Sequence, residues 1–260
     1  MLLKIISSNI RFDNPNDNKH LWQYRLPILS KTINDFCPCL IGSQEGRIDQ
    51  LKEFSSLIEN TSMVTNHRQW IKDRMYPTIY LKNNRQFTII QSNDFWLSLT
   101  PEIPDSSSFS SAFPRLCTWT KIGHQDLSKP FFIFNCHLDH IKHFTREKQT
   151  EVLVEQIKII NNLNYPFLLM GDFNEGPQHN VRKIIMKSFN NLYDPWDKLK
   201  IKEEGTHHKF TGDNSNTERI DWILATNDFS PKKISLEKYN ENNIWPSDHF
   251  PVKAEFKAIF

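Results

Sequence analysis

The sequence predicts an α/β domain in which two packed sheets carry helices on their outer faces. Short apolar runs bounded by Pro, Gly or polar residues read as buried strands. Segments with apolar residues at helical spacing alternate with them. No linker or repeat interrupts the alternation, so residues 1–260 are expected to form a single domain.

The elements follow in order. Leu3 to Ser8 is a first strand. Trp22, Arg25, Leu26, Leu29 and Ile33 recur at helical spacing and predict a helix over Leu21 to Asp35. Cys39 to Ser43 is a second buried strand, and a shorter helix runs from about Ile48 to Leu57. A strand-rich stretch follows: Thr78–Leu81, Phe87–Ile90, Phe95–Leu97, Cys117–Thr120 and Phe131–Asn135. Val152, Leu153, Gln156, Ile157 and Ile160 mark the longest helix, about Arg146 to Leu163, with Thr145 as its N-cap. Tyr165 to Met170 is too brief for a helix and reads as a buried strand. A helix near Val181 to Ser188, a strand at Ile220 to Ala225 and a last strand at Pro251 to Phe256 complete the set. Three long polar loops, Arg11–His20, Thr100–Pro114 and Glu203–Glu218, are places where binding function or simple surface insertion is equally expected.

Composition excludes several classes. The net charge is +2, with Lys and Arg scattered, which tolerates an anionic substrate but offers no nucleic-acid-binding tail. Cys37-Pro38-Cys39 has the wrong spacing for a zinc knuckle, and Cys117 and Cys136 do not complete a site. Reduced thiols, the absence of a recognisable leader at Met1–Ile6 and the lack of a membrane-length apolar run favour a cytoplasmic location, with export by a non-cleaved route left open; a monomer is expected.

The informative residues stand at strand ends. Asn9 follows the first strand and Glu45 the second. His137 and Asp139 follow Phe131–Asn135, and Asp172 and Asn174 follow Tyr165–Met170 in Gly171-Asp172-Phe173-Asn174. Asp221 lies in the strand Ile220–Ala225, and Asp248-His249 precedes the last strand. Taken singly, each has a bland explanation: Asn9 a turn, Glu45 a helix cap, Asp172 with Asn174 an Asx turn, Asp221 a partner for Arg219. Six such coincidences together point to one site. Oxygen donors without thiolates suit Mg²⁺ or Mn²⁺. A hard cation polarises a phosphoryl oxygen, a further carboxylate can activate water, and imidazole or amide can hold a non-bridging oxygen. The chemistry implied is metal-assisted hydrolysis of a phosphate ester.

The ordered set Ser8-Asn9-Ile10-Arg11, Gln44-Glu45, His137-Leu138-Asp139, Gly171-Asp172-Phe173-Asn174, Ile220-Asp221-Trp222-Ile223 and Ser247-Asp248-His249 resembles the endonuclease/exonuclease/phosphatase superfamily over residues 2 to 256. The resemblance implies a four-layer sandwich of two mixed β-sheets flanked by helices, the deoxyribonuclease I-like fold. It implies that Glu45 binds the metal with Asn9 beside it, and that Asp248 helps hold the metal or its water. His249, hydrogen-bonded to Asp221, would face the scissile phosphate. Asp172 would orient or deprotonate the attacking water, and Asn174 and His137 would hold phosphate oxygens. Whether Asp172 or the His249–Asp221 pair is the base stays open.

Phe95-Trp96-Leu97, Arg115-Leu116-Cys117-Thr118-Trp119 and His137-Leu138-Asp139-His140 with Arg146 resemble single-domain bacterial members, with Asp73-Arg74 where a Gly-Glu pair is common. Arg115, Tyr80, Asp139, His140 and Arg11 are candidate substrate contacts. The first expectation for substrate is a nucleic acid or nucleotide, as a single strand or an end. Phe109, Phe113 and Phe210 would stack on bases, and Arg11, Lys142, Arg146 and Lys209 would reach phosphates. The alternative is a phosphomonoesterase or a lipid or inositol-phosphate phosphatase. A non-catalytic binding module is disfavoured because every expected position is filled.

Overall fold

A computed structural model describes residues 1–260. The strands are β1 (Leu2–Asn9), β2 (Leu40–Gln44), β3 (Thr61–Met63), β4 (Thr78–Lys82), β5 (Phe87–Trp96), β6 (Leu116–His124), β7 (Phe131–His137), β8 (Phe167–Asp172), β9 (Leu192–Tyr193), β10 (Asp221–Thr226), β11 (Phe229–Leu236) and β12 (Val252–Ala258). The helices are α1 (Trp22–Phe36), α2 (Ile48–Leu57), α3 (His143–Ile160), α4 (Asn180–Ser188) and α5 (Pro195–Lys198). The strands form two six-stranded sheets, ordered β11-β12-β1-β2-β4-β3 and β5-β6-β7-β8-β10-β9. Each sheet contains one parallel pair near its centre, β1 with β2 and β7 with β8, and is otherwise antiparallel.

Strand alternation builds three apolar layers, because the central strands are buried on both faces. Ile5, Leu40, Ile79, Ile133, Leu168, Met170, Ile223 and Ala254 fill the space between the sheets. Their chain neighbours Ile6, Ile41 and Tyr80 point the other way, onto α1 and α2. Phe132, Phe134 and Leu169 likewise meet Leu153 and Ile157 of α3 and Val181 and Ile185 of α4. The expected four-layer sandwich is therefore present.

Several expected elements differ. Phe87–Ile90 and Phe95–Trp96 belong to one continuous strand, β5, which stops one residue short of the expected Leu97: it lies at a sheet edge and keeps pairing with β6 through the polar stretch Gln91–Asp94, with a bulge between Ile89 and Gln91. α3 begins at His143, so Thr145 is not its cap; the Thr145 hydroxyl donates to the Phe109 carbonyl at 2.7 Å. β3 and β9 are too short to carry periodicity. β11, rich in Ser, Pro and Lys, lies at an edge where only one side needs a partner. All four thiols are free, and no helix is long and apolar enough to cross a membrane.

Candidate functional site

Both parallel pairs end at the same edge of the sandwich. Asn9 ends β1 opposite Gln44, which places Glu45 one residue beyond β2. His137 ends β7 directly opposite Asp172, the last residue of β8. Antiparallel β10 begins there too, with Asp221 opposite Asp172. The Ser247–His249 turn arrives just before β12, and Ser247 Oγ donates to the Asn9 carbonyl at 2.6 Å. Asn135 ties the sheets together beneath the site: its amide donates to the carbonyls of Ser43 (2.9 Å) and Thr78 (3.1 Å) and accepts from Gln44 Nε2 at 2.8 Å.

Asp172 is the centre of the polar network. Its Oδ2 accepts from Asn9 Nδ2 at 2.9 Å, and its Oδ1 accepts from the Asn174 amide at 2.9 Å. His137 Nε2 lies 3.5 Å from Oδ2. Asn9 Nδ2 also donates to Glu45 Oε1 at 3.1 Å, so one carboxamide spans the two carboxylates, while Asn9 Oδ1 accepts from the Arg11 amide at 2.9 Å. Glu45 Oε2 accepts from the Phe12 amide at 3.2 Å. His249 Nδ1 is 2.8 Å from Asp221 Oδ2. Arg11, Glu45 and Asn174 all have left-handed backbone, at φ 53°, 68° and 51°. Such conformations cost about 1–3 kcal/mol each in non-glycine residues and concentrate where a side chain must be aimed.

The electrostatics fit crowded carboxylates. Burial raises the Asp172 carboxyl above its ordinary value, and the neighbouring Asp221 adds to this against the opposing pull of His249. Burial opposes charge on His249, yet Asp221, Asp172 and Asp248 outweigh it and lift the imidazole well above its ordinary value. His137 goes the opposite way: burial, then the Arg115 charge, hold it well below. For Asp248, burial is outweighed by His207, His249 and Arg11, and the carboxyl sits well below the usual range.

These groups line a cavity of about 200 Å³. Glu45, His137, Asp172, Asn174, Asp248 and His249 are at its wall, with Arg11, Arg115 and His140. Asp221 stands behind His249. Three expected substrate contacts are misplaced. Tyr80 is fully buried on the helix side of its sheet, edge-on to Phe54 at 5.5 Å, because strand alternation turns it away from the site. Asp139 is fully buried and accepts from the amides of Ala112 (2.8 Å), Ile141 (2.8 Å) and Lys142 (2.9 Å), so it fixes two loops. Arg146 is bound to Glu175 at 2.8 Å. Of the loop aromatics, Phe210 stacks on His20 at 4.4 Å and covers Arg25, whereas exposed Phe113 stacks on His140 at the cavity. Arg219 pairs with Glu203 and Asp194, leaving Asp221 to His249.

His207, Phe12, Met75 and Ile220 line the cavity without having been expected. His207 packs against His249, ring centres 4.6 Å apart, and lies 3.7 Å from Asp248. Its only signal was its place in a His-containing polar loop. Three sets of side chains are close enough to hold a metal: Glu45 with His137 and Asp172, Asp172 with Asp221 and His249, and His207 with Asp248 and His249. The oxygen donors among them suit a hard cation.

The family model described as "Endonuclease/Exonuclease/phosphatase family" matches residues 52–249. A mannosyl-6-phosphatase of Bacteroides thetaiotaomicron is similar in structure, with 28% identity, TM-score 0.88, and 98% of this chain and 99% of that one covered. An endonuclease/exonuclease/phosphatase of Bacteroides vulgatus has 23% identity and TM-score 0.89, with 99% of both chains covered. TDP2 of D. rerio, complexed with a single-strand DNA product, has 17% identity and TM-score 0.75 over 98% of this chain and 99% of that one. The last two likenesses carry the fold alone. No curated protein matches the chain.

Proposed function

The chain belongs to the endonuclease/exonuclease/phosphatase family, and from that premise we propose that it is a divalent-metal-dependent phosphoesterase acting on a small phosphate monoester. The observation that carries the substrate class is the small cavity of about 200 Å³ around Glu45, Asp172, His137 and His249. Two of the basic residues expected to reach a polymer's phosphates are already paired, Arg11 with Asp17 and Arg146 with Glu175. Similarity to a mannosyl-6-phosphatase over nearly the whole chain supports the same class.

The donor set fits Mg²⁺ or Mn²⁺, with Glu45 as principal ligand and Asp248 and Asn9 assisting. When bound, the cation would polarise the phosphoryl group and stabilise the leaving oxygen. The chain's own residues do the rest. Asp172, held on both oxygens by Asn9 and Asn174, orients the attacking water. Its raised carboxyl makes it a competent proton acceptor near neutrality. His249, held by Asp221, donates to the phosphate as charge develops, opposite Asn174 and His137.

The second reading is a nuclease acting on a single strand or an end. Phe113 stacked on His140 at the cavity favours it, because that pair offers a flat face to a base. A panel in Mg²⁺ and Mn²⁺ decides: sugar phosphates including mannose 6-phosphate, nucleoside monophosphates, inositol phosphates, single-stranded DNA, poly(A) and a generic bis-ester. Phosphate release from monoesters is expected. Strand cleavage without monoester turnover overturns this reading in favour of the second.

A further inference from the structure

Both ring nitrogens of His137 face polar atoms. Nδ1 lies 3.0 Å from Arg115 Nη1, and Nε2 lies 3.5 Å from Asp172 Oδ2. A guanidinium offers donors and no acceptor. The nitrogen facing it must therefore present a lone pair, which leaves the ring proton of a neutral His137 on Nε2, toward Asp172 and the cavity. His249 is set in the opposite sense. Its Nδ1 faces the Asp221 carboxylate, an acceptor, and so carries a proton. Two imidazoles in one cavity are thus oriented by partners of opposite charge.

Arg115 is an expensive residue to put there. It is only 6% exposed, its Nε has no partner, and its bonded neighbours are two imidazoles, His137 and His140 (Nη2 to Nδ1, 3.3 Å). No carboxylate pairs with it directly, although Glu45, Asp172 and Asp139 are close enough to favour its charge. A buried cation without a bonded counter-ion costs several kcal/mol. Packing alone would be served by an apolar side chain.

We propose that Arg115 is a positioning residue: by donating to Nδ1 it holds His137 as the neutral Nε2–H tautomer, so that His137 offers the phosphate a hydrogen-bond donor and not a lone pair. One consequence concerns the cation. A metal takes the lone pair of an imidazole, and Nε2 has none in this tautomer. Of the side-chain sets near the cavity, Glu45 with His137 and Asp172 is then no ligand set. Beside Glu45 the cation is left to oxygen donors. Burial and the Arg115 charge, which hold His137 well below its ordinary value, keep it neutral. The inference rests on the reading of His137 as a phosphate-holding group.

The test is ¹⁵N-edited imidazole NMR of the metal-free protein at neutral pH, with His137 assigned through His137→Gln. A protonated Nε2 and an unprotonated Nδ1 are expected, unchanged on titration with Mg²⁺. Arg115→Met should give mixed tautomers and lower kcat by about 10²-fold, the scale of losing one aimed donor. KM should move by under about threefold, since the donor acts mainly on the transition state. Arg115→Lys, still a donor, should restore the tautomer and part of kcat. A wild-type His137 protonated on Nδ1, doubly protonated, or bound to the cation through Nε2 overturns the proposal whether or not the variants fold. So does Arg115→Met with unchanged tautomer and turnover. The spectrum is independent of activity: an Nε2–H tautomer in a protein inert to every ester supports the role of Arg115 and overturns only the phosphoesterase reading.

Discussion

Replacing Gly171 with alanine tests how tightly the active edge depends on strand spacing. Gly171 has φ +146°, and an added Cβ would lie 2.9 Å from both C and N of Cys136 and closer still to its carbonyl oxygen. Cys136 is its direct neighbour in the parallel β7–β8 pair, so the obstruction is backbone and cannot rotate away. Two costs add. The backbone conformation costs about 1–3 kcal/mol for a residue with a Cβ. Relieving the overlap by parting the strands costs about 1–3 kcal/mol, as overpacking generally does. Their sum, about 2–6 kcal/mol, is a large share of the roughly 5–15 kcal/mol that holds a domain folded. At roughly 2–4 °C per kcal/mol for a chain of this size, Tm should fall by about 4–24 °C. The next register position pairs His137 with Asp172, so the displacement passes into the site. A shift of about 1 Å there should lower kcat about 10²-fold. Gly123→Ala is the control, because its added Cβ would meet nothing nearer than Ile90 Cδ1 at 3.5 Å. Its effect should stay within about 0.5 kcal/mol. Urea unfolding followed by tryptophan fluorescence, with turnover measured where both variants are folded, reads both effects. Equal stability and equal kcat in the two variants would refute the reasoning.

Saturating Mg²⁺ at about 100 times its Kd should stabilise the wild type by about 2.7 kcal/mol, and Glu45→Gln should lose most of that thermal shift; a full shift in the variant places the cation elsewhere. Asp221→Asn should lower kcat by about 10²–10⁴, because the imidazole loses the carboxylate that holds its tautomer and charge. In the metal-free protein His249 is raised, so its contribution to stability is fully present below its ordinary 6.5 and is lost as pH rises through the raised folded value. Asp221→Asn should flatten that loss in denaturation curves taken from neutral to alkaline pH, and an unchanged slope counts against the pairing. Asn135→Ala removes the side-chain bonds to the carbonyls of Ser43 and Thr78 and leaves Gln44 Nε2 only its longer contacts to Ser7 Oγ and the Gly42 carbonyl. It should cost about 2–4 kcal/mol in urea unfolding; a near-neutral result would mean that the sheets do not need this bridge.

The central strands were legible because they are buried on both faces and read as apolar runs: Leu3–Ser8, Cys39–Ser43 and Tyr165–Met170 all fall on β1, β2 and β8. The edge strands were less so: β5 reads as two pieces and β11 not at all. β11 carries Ser230-Pro231-Lys232-Lys233 and β5 carries Gln91–Asp94, polar stretches that an edge tolerates and that hide a strand from a periodicity argument. For the site, strand-end position brought Glu45, His137, Asp172, Asn174, Asp248 and His249 to one cavity wall, with Asn9 bridging and Asp221 behind. Tyr80 failed because strand position says that a residue is near an edge, while alternation decides which face it takes. Asp139 failed because a carboxylate after a strand serves loop amides as well as it serves a ligand. His207 reaches the cavity through a loop bridged to His249, a tertiary contact with no local signature.

The topology explains why these residues, scattered from Asn9 to His249, meet. In a parallel pair both strands end on the same side, so β1 with β2 delivers Asn9 and Glu45 together, and β7 with β8 delivers His137 and Asp172. An antiparallel neighbour begins where its partner ends. β10 therefore contributes its first residue, Asp221, opposite Asp172, and β12 brings the residues just before it, Asp248 and His249, to the end of β1. The residues proposed to hold the metal belong to one sheet and those proposed to orient the water to the other, except that Asp221 reaches across to His249. Turnover by the proposed site should then depend on the distance between the sheets. It is small where Gly42 faces Met170, since a Cβ on Gly42 would lie 2.6 Å from Met170 Cε, and Asn135 bridges the sheets at the same level. A substitution that parts the sheets there should lower turnover while altering no side chain of the site.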